Sequence, residues 1–122
     1  MVWTWKSKLI SKAVSKVGVK GKIAALYIMS GHSVSFNVKV KDGIIDFVAK
    51  KKGDVLAVDV YLKNKPVSAK EVENIARKAF QINAKPVLLI YGSAKISEEA
   101  LSRSKELNVK IKRVREVEPR PH

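Results

Sequence analysis

Two aspartates, Asp46 and Asp59, occupy positions where a buried strand normally carries an apolar side chain. They lie within the largely apolar runs of residues 43–49 and 55–62. Carboxylates are rarely buried without a partner. If the two runs pair as a hairpin, both carboxylates can face one cleft and bind Mg²⁺ or Mn²⁺, which would activate water for attack on a phosphodiester. The spacing is equally consistent with aspartates at a sheet edge that pair with lysines.

The elements that would position these aspartates follow from apolar periodicity. Helical spacing predicts helices over residues 3–17 and 22–30, and the second is almost wholly apolar, so we expect it to be buried. Gly18 and Gly21 are expected to break or bend the chain between them, and Gly31 to end the second helix. Further runs predict strands over residues 33–40, 44–49, 55–62, 87–91 and 109–114, and helices beginning at Ser68 and Ser97.

Local signals add detail to these elements. The strand at 33–40 alternates apolar and polar residues, as a half-buried strand does, and Asp42-Gly43 predicts a tight hairpin. A capping box (Ser68 with Glu71), the cap at Ser97 and the terminators Asn83 and Asn108 should bound the two later helices. The apolar face of the first of these comprises Ala69, Val72, Ile75, Ala76, Ala79 and Phe80.

The element order is therefore α-α-β-β-β-α-β-α-β. It predicts an α/β fold with a mixed central sheet, in which a three-stranded antiparallel meander is followed by two further strands. Helices should flank both faces. We expect a basic amphipathic helix at 1–18, one α/β domain at 19–115 and a flexible tail at 116–122.

The order of motifs over residues 20–114 resembles that of a known family. An acid in the context Ile-Asp-Phe-Val-Ala is followed by a polar turn and by a strand with a second acid. A Lys-Pro-Val-Ser step then enters a helix, and Pro-Val-Leu-Leu-Ile-Tyr-Gly precedes a helix rich in Glu and Ala. This arrangement resembles the PD-(D/E)XK, or restriction-endonuclease-like, nucleases, and among them the archaeal Holliday-junction resolvases and RecB-like nucleases.

The resemblance implies that Asp46 and Asp59 bind the metal, with the Val60 main chain as a candidate further ligand. In the family, a lysine two residues after the second acid positions or activates the attacking water. Tyr61 holds that position here, and tyrosine is neutral at pH 7.

A glutamate on the first core helix often completes the family's site, and Lys22 stands where we expect that acid. A lysine there would repel a divalent cation, although it could pair with an aspartate or bind phosphate. Lys63, two residues beyond Tyr61, is the candidate for a relocated catalytic lysine, and Lys50 could also reach from the preceding strand. The departures favour a nuclease fold with weak or lost activity that is retained for binding.

Charge points to a polyanionic partner. The chain of 122 residues has 25 Lys and Arg against 11 Asp and Glu, a net charge of +14, and its first carboxylate is Asp42. Such an excess favours nucleic acid first and an anionic membrane second. The absence of cysteine excludes disulfides and thiolate metal sites. No apolar run is long enough to span a membrane, and we expect a cytoplasmic protein.

The leading hypothesis is a DNA-binding protein, homodimeric by resemblance to the resolvases, that binds double-stranded or branched DNA. The alternatives are an active Mg²⁺-dependent structure-specific endonuclease and a protein-interaction or membrane-surface module. This last alternative would use the N-terminal helix, which bears Trp3 and Trp5. The candidate nucleic-acid contacts are Lys6, Lys8, Lys12, Lys16, Lys22, Lys50, Lys51 and Lys52.

Overall fold

Five strands form one mixed sheet in the order β1-β2-β3-β4-β5. The computed structural model describes residues 17–114, so the helix predicted over 3–17, apart from Val17, and the predicted tail at 116–122 lie outside the described residues. β1–β2 and β2–β3 pair antiparallel, whereas β3–β4 and β4–β5 pair parallel. This confirms the predicted meander with two crossovers. The strands are β1 (Ser33–Val40), β2 (Gly43–Lys51), β3 (Asp54–Tyr61), β4 (Lys85–Tyr91) and β5 (Lys110–Val114).

Three helices cover the two faces of this sheet. α1 (Val17–Met29) packs on one face, where Ile23 and Ala24 join a core with Phe47 and Val58. α2 (Ala69–Gln81) and α3 (Glu98–Leu107) pack on the other face, in a core that includes Ile75. The predicted α/β architecture with helices on both faces is therefore confirmed.

The ends of α2 and α3 follow their capping residues. Ser97 accepts a hydrogen bond from the Ala100 N–H, and Asn108 ends α3 in the left-handed conformation. Asn83, just after α2, is also left-handed, with φ 57°. Ser68 takes the N-cap position of α2, but its side chain makes no capping hydrogen bond, so the predicted capping box is wrong in that detail.

Two expectations about α1 are wrong. Gly18 and Gly21 lie inside the helix and do not break it. The helix is also not buried, because Leu26 is 53%, Ile28 53% and Met29 83% exposed. Nearly continuous apolar sequence indicated a buried helix, but α1 packs against the sheet along one stripe only.

β1 changes face partway along its length. Val34 packs on the α1 side of the sheet, whereas Val38 and Val40 pack on the α2 side. Asn37 lies between them with φ 50°, in the left-handed region that interrupts strand alternation. The predicted single apolar face is therefore wrong, and Phe36, next to the reversal, is 48% exposed.

Two smaller expectations also need correction. Val40 pairs with Gly43, so the central residues of the hairpin turn are Lys41 and Asp42, one position before the predicted Asp42-Gly43. Helical spacing predicts Phe80 on the apolar face of α2, but Phe80 is 83% exposed, because the buried stripe of that helix follows Val72, Ile75 and Ala79.

Candidate functional site

The predicted aspartates meet where β2 and β3 separate. Phe47 and Val58 are the last paired residues of the two strands on this side, and Asp46 and Asp59 come directly after them. There, backbone N–H groups donate to the two carboxylates. The Asp46 N–H donates to Asp59 Oδ1 at 3.0 Å, and the Val60 N–H donates to Asp46 Oδ2 at 2.7 Å. β2 and β3 therefore pair as a hairpin and bring the two aspartates together, as predicted.

Each aspartate also pairs with a lysine from a helix. Lys20 Nζ of α1 lies 3.3 Å from Asp46 Oδ1, and Lys78 Nζ of α2 lies 2.6 Å from Asp59 Oδ2. Both lysine side chains are only 14% exposed. All four carboxylate oxygens therefore have a donor, and the four side chains, here called the Asp–Lys quartet, carry no net charge. The alternative prediction placed the aspartates at a sheet edge, paired with lysines. The lysine pairs are observed, but β2 and β3 are interior strands of the sheet.

Further hydrogen bonds fix both lysines. Lys20 Nζ donates to Asn37 Oδ1 at 3.1 Å, so the left-handed residue of β1 also contacts the quartet. Lys78 Nζ donates to the Ile44 carbonyl at 2.8 Å. The quartet thus ties α1, α2 and the β1–β2 hairpin together at one point.

A small cavity opens beside the quartet on the α2 side of the sheet. Its volume is about 150 Å³. The Tyr61 hydroxyl donates to the Lys65 carbonyl at 2.9 Å, which anchors the chain beyond β3. The cavity is lined by Ile44, Asp46, Asp59, Val60, Tyr61, Glu71, Asn74, Lys78 and Leu88.

Burial shifts the titration of two cavity groups. It raises the pKa of Asp59 above its ordinary value, and the Lys78 hydrogen bond opposes that shift without cancelling it. Burial also raises the pKa of Tyr61, with a smaller contribution from the Glu71 carboxylate. The Tyr61 hydroxyl therefore stays neutral at physiological pH and cannot replace the lysine that the nuclease family uses.

The donor set does not fit a divalent metal as it is arranged. A cation at Asp46 and Asp59 needs free carboxylate oxygens, whereas two of the four accept from lysine and two from backbone N–H groups. Within residues 17–114, no three His, Cys, Asp or Glu side chains are grouped closely enough to hold a metal. Metal binding would require Lys20 and Lys78 to move away first.

The other predicted site residues lie apart from the quartet. Lys63 is exposed beyond the end of β3, and Lys22 lies on another side of α1, beside Leu26. Lys50 and Lys52 are exposed around the β2–β3 turn. Lys51 instead donates to the Ser30 carbonyl at 2.6 Å, where it caps the C-terminal end of α1. Lys6, Lys8, Lys12 and Lys16 lie outside the described residues.

The sequence analysis did not include Lys20 and Lys78 among the site residues, although their spacing from apolar residues places both on the sheet-facing sides of their helices. Lys20 stands three and four residues before the buried Ile23 and Ala24, and therefore shares their side of α1. Lys78 stands three residues after the buried Ile75. Lys22, two residues from Lys20, cannot face the sheet together with it. A lysine on a buried helical stripe requires a carboxylate partner, and both aspartates were already known from the sequence.

Comparison with known proteins identifies the fold. No protein-family model and no curated protein matches the chain. A solved structure described as a protein of unknown function, AF1548, is similar over 77% of this chain, with 22% identity and a TM-score of 0.62. Pyrococcus furiosus SfsA, solved in complex with Ca²⁺, is similar over 89%, with 13% identity and a TM-score of 0.55. The chain spans 55% and 57% of the lengths of these two proteins.

Proposed function

We propose that the protein binds nucleic acid through a nuclease-like fold and does so without metal-dependent phosphodiester hydrolysis. The observation that carries this proposal is the Asp–Lys quartet, in which lysine ammonium groups hold the positions that a metal would need. Tyr61, neutral and hydrogen-bonded to a main-chain carbonyl, stands in place of the family's lysine. The meander with strand acids at its fork supports the resemblance to the nuclease fold.

Charge supports nucleic acid as the partner. The net charge is +14, and the five glutamates within residues 17–114 all lie on α2 and α3. α1, on the opposite face, carries Lys20 and Lys22 and no carboxylate. The basic side of the described fold is therefore the α1 side, which suits a phosphate backbone. Double-stranded or branched DNA is the class of ligand that the resemblance favours.

Among the described lysines, Lys22, Lys50 and Lys52 are the proposed phosphate contacts, because all three are exposed. Lys51 is less suited, since its ammonium group already serves the end of α1. The lysines at 6, 8, 12 and 16 remain proposed contacts on sequence alone. A homodimer also remains a proposal, which light scattering of the purified protein would test.

One observation favours a second candidate, a Mg²⁺- or Mn²⁺-dependent endonuclease. Asp46 and Asp59 do adjoin and line one cavity, and SfsA, which shares the fold, was solved with Ca²⁺. On this account Lys20 and Lys78 would move away from the carboxylates when metal and substrate bind. Lys63 would have to reach the site from beyond β3.

One experiment separates the two candidates. Labelled branched, duplex and single-stranded DNA and single-stranded RNA are incubated with the protein in EDTA, Mg²⁺ or Mn²⁺, and both binding and cleavage are measured. We expect binding that weakens steeply with added salt, is the same with and without metal, and is not followed by cleavage. The matched pair Lys22→Gln and Lys105→Gln tests the face, because Lys22 lies on α1 and Lys105 lies on α3.

Two results would overturn the proposal. Metal-dependent cleavage that disappears in Asp59→Ala would establish the endonuclease. If none of the nucleic acids binds in a salt-sensitive way, nucleic acid is not the partner, and both candidates fail.

A further inference from the structure

An apolar groove follows α1 on its β5 side. Two adjoining cavities of about 180 and 170 Å³ share Ile23, Leu26 and Val114. The groove contains no carboxylate among its lining residues, and lysines stand at its rim. This α1 groove is lined by Lys22, Ile23, Leu26, Tyr27, Ser30, Leu89, Tyr91, Lys112 and Val114.

The groove leaves apolar surface uncovered. Leu26 projects from it 53% exposed, and Met29, three residues further along the same side of the helix, is 83% exposed. Burial of apolar surface contributes about 25 cal/mol per Å² removed from water, so a segment that covers these side chains gains stability. Contiguous exposed apolar surface of this kind marks a contact site.

We propose that the chain's own N-terminal segment, residues 1–16, covers the α1 groove. The segment joins α1 directly at Val17, so its effective concentration at the groove is high. It also reaches far enough. Trp3 precedes Val17 by fourteen residues, a span of about 21 Å even if wholly helical, and the thirteen residues of α1 measure about 20 Å.

The side chains of the segment match the groove. Trp3, Leu9, Ile10 and Val14 share one arc at helical spacing, and Lys8, Lys12 and Lys16 occupy the remaining arc. The apolar arc can therefore cover Leu26 and Val114 while the lysines face water. This arrangement would add four positive charges to the basic α1 side, independently of whether the partner proposed above is correct.

A second copy of the chain fits the groove less well. A symmetric contact there would bring Lys22 and Lys112 of one copy close to the same lysines of the other. The groove also has nine lining residues, whereas a stable interface needs about 20–30 residues on each side. A tethered segment needs no interface of that size, because its covalent link to α1 supplies a high effective concentration.

Tryptophan fluorescence allows a direct test, because Trp3 and Trp5 are the only tryptophans in the chain. Trp3 lies on the apolar arc, whereas Trp5 lies among the lysines, so the test uses Trp5→Phe, in which Trp3 alone emits. Tryptophan emission moves to longer wavelength when the indole enters water. In folded Trp5→Phe we expect emission at shorter wavelength than in the same chain unfolded in urea, with reduced quenching by acrylamide. Leu26→Asp should move emission and quenching to the unfolded values. Leu101→Asp, at a comparably exposed leucine on α3, should leave both unchanged.

Circular dichroism checks that each variant is folded, and Leu26→Gln replaces Leu26→Asp if that variant is not. Three outcomes overturn the proposal. If the folded protein emits at the wavelength of the unfolded chain, or if a folded Leu26 variant leaves the emission unchanged, the indole does not lie in the α1 groove. Short-wavelength emission that is lost on dilution identifies a second copy as the occupant. Short-wavelength emission that requires anionic phosphatidylserine vesicles identifies a membrane surface.

Discussion

At the scale of single residues, the Asp–Lys quartet makes the carboxylates depend on their lysines. Asp59 is 17% and Lys78 14% exposed, so this pair lies between a surface ion pair and a fully buried one. Removal of one partner from a buried pair is costly because the other charge remains desolvated. We expect Lys78→Met to lower the free energy of unfolding by about 1–3 kcal/mol at pH 7, measured by urea denaturation.

The double variant Lys78→Met/Asp59→Asn is the matched control for that prediction. It removes the charge that Lys78→Met leaves unpaired, so it should recover most of the lost stability. Lys20→Met should cost less than Lys78→Met, because Asp46 is 29% exposed and its ion pair is longer, at 3.3 Å. Equal losses in Lys78→Met and the double variant would show that the effect comes from packing of the lysine side chain, and not from its charge.

The raised pKa of Asp59 predicts a pH dependence of definite sign. Burial raises this pKa above the ordinary value of about 3.9, so the folded protein holds the proton more tightly than the unfolded chain does. The stability that Asp59 contributes is therefore fully present below about pH 3.9 and is lost as the pH rises through the raised value.

We accordingly expect wild type to lose stability relative to Asp59→Asn as the pH rises from acid to neutral. Urea denaturation of both proteins across this range measures the difference. If wild type instead gains stability relative to Asp59→Asn as the pH rises, the ion pair with Lys78 outweighs burial and lowers the pKa of Asp59.

At the scale of elements, the reversal in β1 depends on one residue. Asn37 has φ 50°, a conformation that asparagine adopts far more readily than a β-branched residue, and its side chain accepts from Lys20. We expect Asn37→Val to destabilise the protein by about 1–3 kcal/mol in thermal or urea unfolding. Ser35→Val, on the same strand without positive φ, should have little effect. An equally small effect of both substitutions would show that β1 does not need the reversal.

The β2–β3 turn carries a lysine in an unfavourable conformation. Lys52 and Gly53 have φ of 50° and 89°, and turns with two positive φ values favour Asn-Gly. Lys52→Asn should stabilise the protein by about 0.5–1 kcal/mol, seen as a rise in Tm of a few degrees. Lys50→Asn, at an exposed strand position, should give no such rise. Unchanged or lower Tm in Lys52→Asn would mean that the turn is not strained at Lys52.

These two elements show why the sequence predicted some features and missed others. Strand positions, crossovers and the ends of α2 and α3 follow from local patterns and were predicted correctly, whereas the start of α1 was not. The change of face at Asn37 was not, because the alternation of Val34, Phe36, Val38 and Val40 is undisturbed in the sequence and only the backbone reverses. The two aspartates were identified from their types alone. Their lysine partners come from helices far away in the chain, and their pairing depends on tertiary packing.

At the scale of the whole molecule, the two faces of the sheet differ in charge balance: α2 and α3 together have five glutamates and five Lys or Arg, whereas α1 has two lysines and no carboxylate. Within residues 17–114 the glutamates lie on α2 and α3, whereas exposed lysines on the other side include Lys22 on α1 and Lys110 and Lys112 on β5. A bound nucleic acid should therefore touch the α1 side and leave α3 free. Each lysine that neutralises a phosphate on duplex DNA contributes about 0.9 to the slope of log K against log salt.

This separation predicts which lysines determine the salt dependence of binding. Lys22→Gln and Lys110→Gln should each weaken binding to duplex DNA to a similar extent for different sequences, and each should reduce the steepness of the salt slope by about 0.9. Fluorescence anisotropy titrations over a range of NaCl concentrations measure both quantities. Lys105→Gln on α3 removes the same charge from the opposite side, so net charge is matched while the face differs. If Lys105→Gln reduces the slope as much as Lys22→Gln does, binding depends on total charge, and the α1 side is not the nucleic-acid interface.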